Sequence, residues 1–447
     1  MPLVEGYSSS SESEHEDKNI ITSEVHEACS NKLDSKLPKK TTKRTTRHST
    51  TKLRKLKKKR NGSGPWASWS DENDSNSDSN LDLKDDNELE LMDNEEFTSK
   101  IVETSNFYGQ STKDYQGRSF LYPPIDTDID FQKPKLSFKC FIPKTIKYKF
   151  KGHENGTTAL SFFPKSGHMF LSGGNDNTLR LWDVYHERKC LRDYLGHTRA
   201  LKSFSFNDDG SKFLSSSYDQ TVKMWDTETG KIITKLKLHS IPNDLTFRPL
   251  NPDEYIVGLS NSTIKHFDNR VSSKQGLVQT YDHHLSSILK LQYFPDGSKF
   301  ISSSEDKTVK IWENQINVPI KHISDTSQYS MPFINIHPEN NYFCTQSMDN
   351  AIYTFNMKPK YRRHPKKIFK GHSSAGYAIG LTFSPDGKYI CSGDIHSNVF
   401  IWDWKTNKLL KKITIPGNKP ITQISWHPQE TSKVLCSGNK GTIYMLD

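Results

Sequence analysis

Residues 196–226, GHTRALKSFSFNDDGSKFLSSSYDQTVKMWD, decide how the rest of the chain is read, because the same pattern returns over its last two thirds. Leu201 to Phe206 mixes aromatic and polar residues at strand spacing, and Asn207-Asp208-Asp209-Gly210 supplies turn chemistry. Phe213 to Ser217 and Thr221 to Trp225 follow around a second turn at Tyr218-Asp219-Gln220, and Lys231 to Leu238 adds a fourth strand. The stretch is one unit of a repeat.

A Gly-His head, a Trp-Asp tail and a period in the forties form the WD40 signature, in which each repeat is one four-stranded propeller blade. Closing dipeptides fall at Trp182-Asp183, Trp225-Asp226, Phe267-Asp268, Trp312-Glu313, Phe355-Asn356, Trp402-Asp403 and Leu446-Asp447, which counts seven blades. Four keep the Trp; the third, fifth and seventh are degenerate. The expected fold is all-β: a seven-bladed WD40 β-propeller over residues 137–447, preceded by a long, largely disordered N-terminal region.

Inside the clear repeats, Ser and Asp recur eleven and seven positions before the closing acid, as Ser172 and Asp176, Ser215 and Asp219, and Ser302 and Asp306. With His153, His197 and His284 upstream and Trp182, Trp225 and Trp312 at the close, each repeat assembles His, Ser, Asp and Trp. A Ser-His-Asp triad has the same composition. A nucleophile is needed once, however, whereas this set occurs three times at one spacing. In WD40 proteins, which these repeats resemble, it forms a buried hydrogen-bond chain that fixes strands together. Blade six keeps Ser392 but has His396 where the Asp belongs, so its network is expected to be missing.

Asp447 falls at the end of a third strand, which leaves blade seven in need of an outer strand from upstream. Residues 138–150, FKCFIPKTIKYKF, are the candidate, and such closure removes the exposed sheet edges that invite aggregation.

Hydrophobic residues make up only 33% of the 447, so a polar region dilutes an ordinary domain. Six cysteines, at 29, 140, 190, 344, 391 and 436, are scattered without a CxxC pair, which argues for a reducing compartment and against a zinc site or disulfide framework. No apolar run approaches membrane-spanning length and the N-terminus lacks a signal-peptide core, so a soluble intracellular protein without metal or cofactor is expected. The formal net charge of +10 is unevenly spread. Residues 36–60 hold thirteen Lys/Arg and no acid, and residues 71–96 hold twelve Asp/Glu and one Lys.

The leader divides accordingly. Residues 1–35 form an acidic, Ser-rich tail too polar to pack, and 36–60 a basic arm. Within the arm, Lys52, Arg54, Lys55, Lys57, Lys58, Lys59 and Arg60 are dense enough for a nuclear address or for phosphate contact, a solvated tail being the plain alternative. Residues 61–136 read as an extended partner-binding segment around the acidic block. In it, Trp66 and Trp69 of GPWASW are too apolar to rest in water. Phe107, Tyr108, Tyr115, Arg118 and Tyr122, ahead of Pro123-Pro124, lie on an aromatic stretch without helix potential, expected along a partner or on the propeller.

GPWASW, FYGQSTKDYQGRSFLYPP and a C-terminal propeller containing DHHLSSILKLQYFPDGSKFISSSEDKTVKIWE together resemble the pre-mRNA-processing factor seventeen family. That resemblance implies a non-catalytic spliceosome scaffold in the nucleus, acting at the second step of splicing, when the 3′ splice site is joined to the 5′ exon. It implies a monomer within a large ribonucleoprotein, with the large U5 core protein, pre-mRNA and the U2, U5 and U6 snRNAs as partners and no membrane. A nuclear WD40 peptide-binding adaptor for chromatin or ubiquitin ligation is the rival reading.

One more basic stretch fits an RNA role. Residues 358–370, KPKYRRHPKKIFK, carry Arg362, Arg363, Lys366 and Lys367, and Pro359 and Pro365 predict a loop whose charge projects from the rim. No RNP-type aromatic platform is present, so any RNA contact is expected to be to backbone and shape.

Overall fold

The computed structural model describes residues 103–113, 116–127, 129–271, 276–417 and 420–447. Their strands form seven antiparallel sheets, the blades of a propeller, and no helix occurs among the described residues.

Blade 2 carries the logic of the repeat. Its strands, Leu201–Phe206, Lys212–Ser217, Thr221–Asp226 and Ile232–Lys237, follow one another from the axis outward. The two middle strands are covered on both faces by the neighbouring blades, so they are buried almost residue for residue, whereas the outer strand keeps an alternating pattern. Gly210 closes the first turn at φ +74°, and a Cβ there would lie 2.1 Å from the Phe163 ring of blade 1. Turn geometry and blade packing therefore both demand glycine.

Three closing tryptophans stack on an aromatic residue of the strand beside them, Trp182 on Phe170 at 6.0 Å and Trp225 on Phe213 and Trp312 on Phe300 at 6.1 Å, whereas Trp402 faces Ile390 across the ladder and stacks on Phe400 of its own strand at 5.6 Å. In two degenerate blades a phenylalanine takes that place, Phe267 on Tyr255 at 5.5 Å and Phe355 on Phe343 at 5.1 Å. A buried aromatic ring contributes about 2 kcal/mol or more by area whichever it is, so the fold tolerates the exchange.

Blade 1 runs from Thr157 to Leu195, blade 3 from Pro242 to Tyr281, blade 4 from Ile288 to Ile323, blade 5 from Phe333 to Lys370 and blade 6 from Leu381 to Thr414. Blade 7 combines Ile421–Trp426, Val434–Gly438 and Thr442–Leu446 with Ile146–Lys151 from upstream, which pairs antiparallel to the last of these. The N–H groups of Lys144 and Thr145 donate to the Asp447 carbonyl at 2.8 and 2.9 Å. Chain segments more than 290 residues apart thus share one sheet, and the inner strand of blade 7 packs on that of blade 1. The pairing strand is shorter than residues 138–150. Pro143 has no N–H for a ladder, and ahead of it Cys140 N–H donates to Asp386 of blade 6 and Phe141 N–H to the Thr431 carbonyl.

Of residues 358–370, only 358–362 form the predicted loop. Arg363–Lys370 is the outer strand of blade 5, and a register slip places residues 364–367 opposite Thr354 alone. Pro365 sits inside that bulge on an edge strand, where its missing N–H interrupts no ladder.

Candidate functional site

Two arrangements qualify as candidates, the repeated His-Ser-Asp-Trp set and the strap of chain ahead of the propeller. In the first, His197 Nδ1 lies 2.9 Å from Asp219, its Nε2 2.7 Å from Ser215 Oγ, and Trp225 Nε1–H donates to the same Oγ at 2.8 Å. A carboxylate only accepts, so Nδ1 donates, Nε2 accepts the serine proton and the serine oxygen accepts the indole N–H. Blades 1 and 4 repeat this, with 2.7 Å from His153 to Ser172 and from His284 to Ser302, and 2.8 Å from Trp182 and Trp312 to those hydroxyls. Asp176 and Asp306 hold the imidazoles at 2.9 and 2.8 Å.

Burial pushes the His197 and His284 imidazoles below their ordinary pKa, outweighing the neighbouring carboxylates. Burial alone would raise the carboxyls of Asp219 and Asp306, but hydrogen bonds from the histidines hold both below the usual range. Ser172, Ser215 and Ser302 are 0% exposed, so no substrate carbonyl reaches these hydroxyls. The set joins strands.

Blade 6 lacks it. Trp402 Nε1–H donates to the Lys370 carbonyl at 3.1 Å, Ser392 donates to the Gly380 carbonyl, and His372 bonds Gln346 of blade 5.

The strap begins with Thr104–Phe107, which pairs antiparallel with Cys190–Leu195 and gives blade 1 a fifth strand. Ser105 and Phe107 turn inward while Thr104 and Asn106 face water. The Glu103 carboxylate meets Lys223 Nζ at 2.7 Å and Lys235 Nζ at 2.8 Å, both on blade 2. Lys223 is 1% exposed, and burial draws its ammonium below the ordinary lysine range. Burial would raise the Glu103 carboxyl, but the two ammonium groups outweigh it and hold it low. Without that carboxylate Lys223 would keep only the Gly196 carbonyl, at 2.6 Å.

Arg192 ties strap and blades together. It donates to Ser105 Oγ at 3.0 Å and to the Glu228 carbonyl at 2.8 Å, and its guanidinium lies 5.0 Å from the Phe107 ring. The chain then doubles back: Phe120 packs on Phe107 at 5.4 Å and its carbonyl lies 3.2 Å from His168 Nε2. Phe131 is buried edge-on against Tyr185 at 5.4 Å. Beyond it the Lys133 carbonyl accepts from Gln429 of blade 7, and Leu136 N–H donates to the Pro385 carbonyl of blade 6.

Between the doubled-back strap and the outer strand of blade 1 lies a groove of about 770 Å³, lined by Phe107, Tyr108, Arg118, Phe120, Tyr122 and His186 among others. Four residues of the sequence-derived set therefore converge on one groove. Phe107 is half-buried in its wall, whereas Tyr108 and Tyr122 remain 59% and 62% exposed. Tyr108 donates its hydroxyl proton to Asp193 at 3.3 Å.

Tyr115, Trp66 and Trp69 lie outside the described residues, as do Lys52, Arg54, Lys55, Lys57, Lys58, Lys59 and Arg60. So do the tail of residues 1–35, the arm of 36–60 and the acidic block of 71–96. Arg362 and Lys366 face solvent. Arg363 and Lys367 do not project as a loop would have them: Arg363 lies 3.7 Å from the Tyr353 ring, and Lys367 lies 3.8 Å from the Trp404 ring with its ammonium pKa lowered by burial. Among the described residues no group of three or more His, Cys, Asp or Glu stands placed to hold a metal ion.

Glu103, Arg192 and Lys223 were not singled out from sequence. The signal was there: a cation recurs three positions before the closing acid, as Arg180, Lys223, Lys265 and Lys310, inside strands whose neighbours are buried. A buried lysine needs a carboxylate, and blade 2 offers none within its own third strand except its closing Asp226.

The WD domain, G-beta repeat family matches residues 144–183, 188–226, 275–313 and 363–403, the four blades that keep their tryptophan. Pre-mRNA-processing factor 17 of Saccharomyces cerevisiae is 57% identical over 466 aligned residues, covering 100% of both chains. The Homo sapiens protein of the same name is 36% identical over 393 residues, 86% of this chain and 67% of that one. WD repeat-containing protein 25 of Mus musculus is 25% identical over 297 residues, 64% of this chain and 55% of its own. Since the first of these matches spans leader, strap and every blade alike, the chain belongs to the pre-mRNA-processing factor 17 family.

Proposed function

We propose that this chain is a non-catalytic scaffold of the spliceosome, working in the nucleus at the second step of pre-mRNA splicing. The observation that carries the reading is the full-length match to a pre-mRNA-processing factor, leader included, since a propeller alone would give architecture without function. Rigid blades with a strap fastened across blades 1, 2, 6 and 7 suit a part that positions others. In this reading the groove beside Phe107, Tyr108, Arg118 and Tyr122 takes a protein partner, for which the large U5 core protein is the candidate. The basic arm and the basic rim meet pre-mRNA and the U2, U5 and U6 snRNAs, and the propeller is a monomer within the assembly.

Depletion tests it. Splicing extract depleted of the protein is expected to complete branching and to accumulate lariat intermediate, and recombinant chain restores exon ligation. Normal exon ligation in depleted extract would remove the second-step role. Recovery of histones or a ligase subunit without U2, U5 and U6 RNA on immunoprecipitation would point to the adaptor instead.

A further inference from the structure

Three segments, residues 133–151, 358–370 and 404–414, contain sixteen lysines, two arginines and no acid. They supply the outer strands of three consecutive blades, Arg363–Lys370 of blade 5, Leu409–Thr414 of blade 6 and Ile146–Lys151 of blade 7. The edges are tied to one another: Asn407 of blade 6 donates to the Lys366 carbonyl at 2.9 Å, and Lys411 Nζ donates to the Pro143 carbonyl at 3.0 Å. The edges of blades 1 and 4 differ. The edge of blade 1 mixes Arg188, Lys189 and Arg192 with Glu187 and Asp193, and that of blade 4 has Lys321 as its one lysine or arginine over residues 314–323.

All but Arg363, Lys367 and Lys411 of the eighteen cations are exposed. Arg363 is 4.0 Å from Asp325, and the ion pairs found among the described residues include no other member of the set. Ile146–Lys151 shows how the wall is built. Tyr148 and Phe150 turn inward, and Lys147, Lys149 and Lys151 all face water, spaced about 6.6 Å apart along the strand. The alternation that seats the closing strand also produces a row of ammonium groups at the spacing of an extended phosphate backbone.

We propose that the outer wall of blades 5 to 7 binds the phosphate backbone of RNA without regard to base sequence. The inference rests on the spliceosomal reading for the source of the RNA. An acidic protein is the weaker match, because protein interfaces are depleted in lysine and anchored by buried aromatic residues. The groove that offers such anchors lies on blade 1, and none of its lining residues belongs to the wall. Reading bases would need bidentate side chains, and the wall has two arginines among eighteen cations. Lysines act as point charges on phosphate.

The test uses the full chain and a labelled uridine oligomer of about 20 nucleotides, titrated between about 50 and 200 mM salt. Replacing Lys147, Lys149 and Lys151 by Gln is expected to weaken binding about tenfold and to lower the slope of log affinity against log salt by about 2, at roughly 0.7 per single-strand phosphate. A second variant, Arg362→Gln with Lys366, Lys405, Lys408 and Lys412 also changed to Gln, spares the closing strand and is expected to act in the same direction. Lys165→Gln with Lys231→Gln and Lys307→Gln, on other blades, leaves affinity within twofold. Unaltered affinity and slope in both wall variants, with thermal melts like the parent's, would overturn the proposal. So would wall-dependent binding of a polyglutamate peptide tighter than that of the RNA. If the wall variants bind normally while spliceosomal RNAs are still recovered with the chain, the surface assignment fails alone; loss of those RNAs from the parent protein would count against the function itself.

Discussion

One hydroxyl, Ser215 Oγ, ties an imidazole to an indole inside blade 2, with 2.7 Å to His197 and 2.8 Å to Trp225. Removing it leaves two buried polar groups without their partner, which costs about 1–3 kcal/mol. Ser392, at the matching position of blade 6, donates to a carbonyl at 3.2 Å and holds neither a histidine nor the blade's tryptophan. Ser215→Ala is therefore expected to lower the urea midpoint clearly more than Ser392→Ala does, although both serines are 0% exposed. Equal losses would mean that the chain of bonds adds nothing beyond packing. The degenerate blades extend the logic. Val257 and Cys436 stand where the serine would be and Phe267 and Leu446 where the tryptophan would be, so blades 3 and 7 have given up hydroxyl and indole together; blade 5 replaces the indole by Phe355 and keeps a hydroxyl at Thr345.

Strands rather than residues decide whether the ring holds. The outer strand of blade 7 comes from Ile146–Lys151, and the strap adds a fifth strand to blade 1. These additions differ in weight, because one completes a blade and the other covers a blade already complete. A chain starting at residue 137 is expected to unfold cooperatively with a modestly lower melting temperature. One starting at Gly152 should lose cooperative melting and aggregate through its open sheet. An unchanged melt for the shorter chain would refute closure by this strand. Much of this was legible beforehand, since period and turn chemistry repeat seven times and each copy corrects the reading of the next. The outer strand of blade 5 reads as a loop in the sequence because Pro365 breaks a strand in isolation, while an edge strand with a bulge accepts it; Pro359 lies in the turn ahead of the strand. The groove escaped notice because it needs Phe107 and Phe120 to meet across a turn of the strap, and no local pattern encodes that contact.

At the scale of the whole ring, the seam between blades 7 and 1 is where acid should act. His427 Nε2 lies 3.0 Å from the Gly167 carbonyl of blade 1, and its Nδ1 accepts the backbone N–H groups of Gln429 and Glu430 at 3.1 and 2.9 Å. A proton on Nδ1 would displace both, and burial already holds this imidazole well below its ordinary pKa. Beside it, His168 is held down to about 4, as is His372 in blade 6, in both cases chiefly by burial. His197, His266, His284 and His337 shift the same way, again chiefly through burial. For each, the unfolded chain takes up its proton near pH 6.5 and the folded chain only further down, so the unfolded state binds more protons in between. Stability is then full above about pH 7 and falls as pH drops from about 6.5 towards 4, with His168 alone accounting for about 2 kcal/mol at pH 5. Below that window the depressed carboxyls of Asp219 and Asp306 protonate and remove more. His186, raised by Asp126 and Asp183 against the effect of burial, works in the opposite sense, but from a half-exposed position. The urea midpoint at pH 5 should accordingly lie well below that at pH 7.5, and amide exchange should quicken first along 163–169 and 421–430, the two sides of the seam. A flat stability profile across that range would show that these histidines are not held neutral by the fold, and exchange that quickened evenly around the ring would show that the seam is no weaker than any other blade contact.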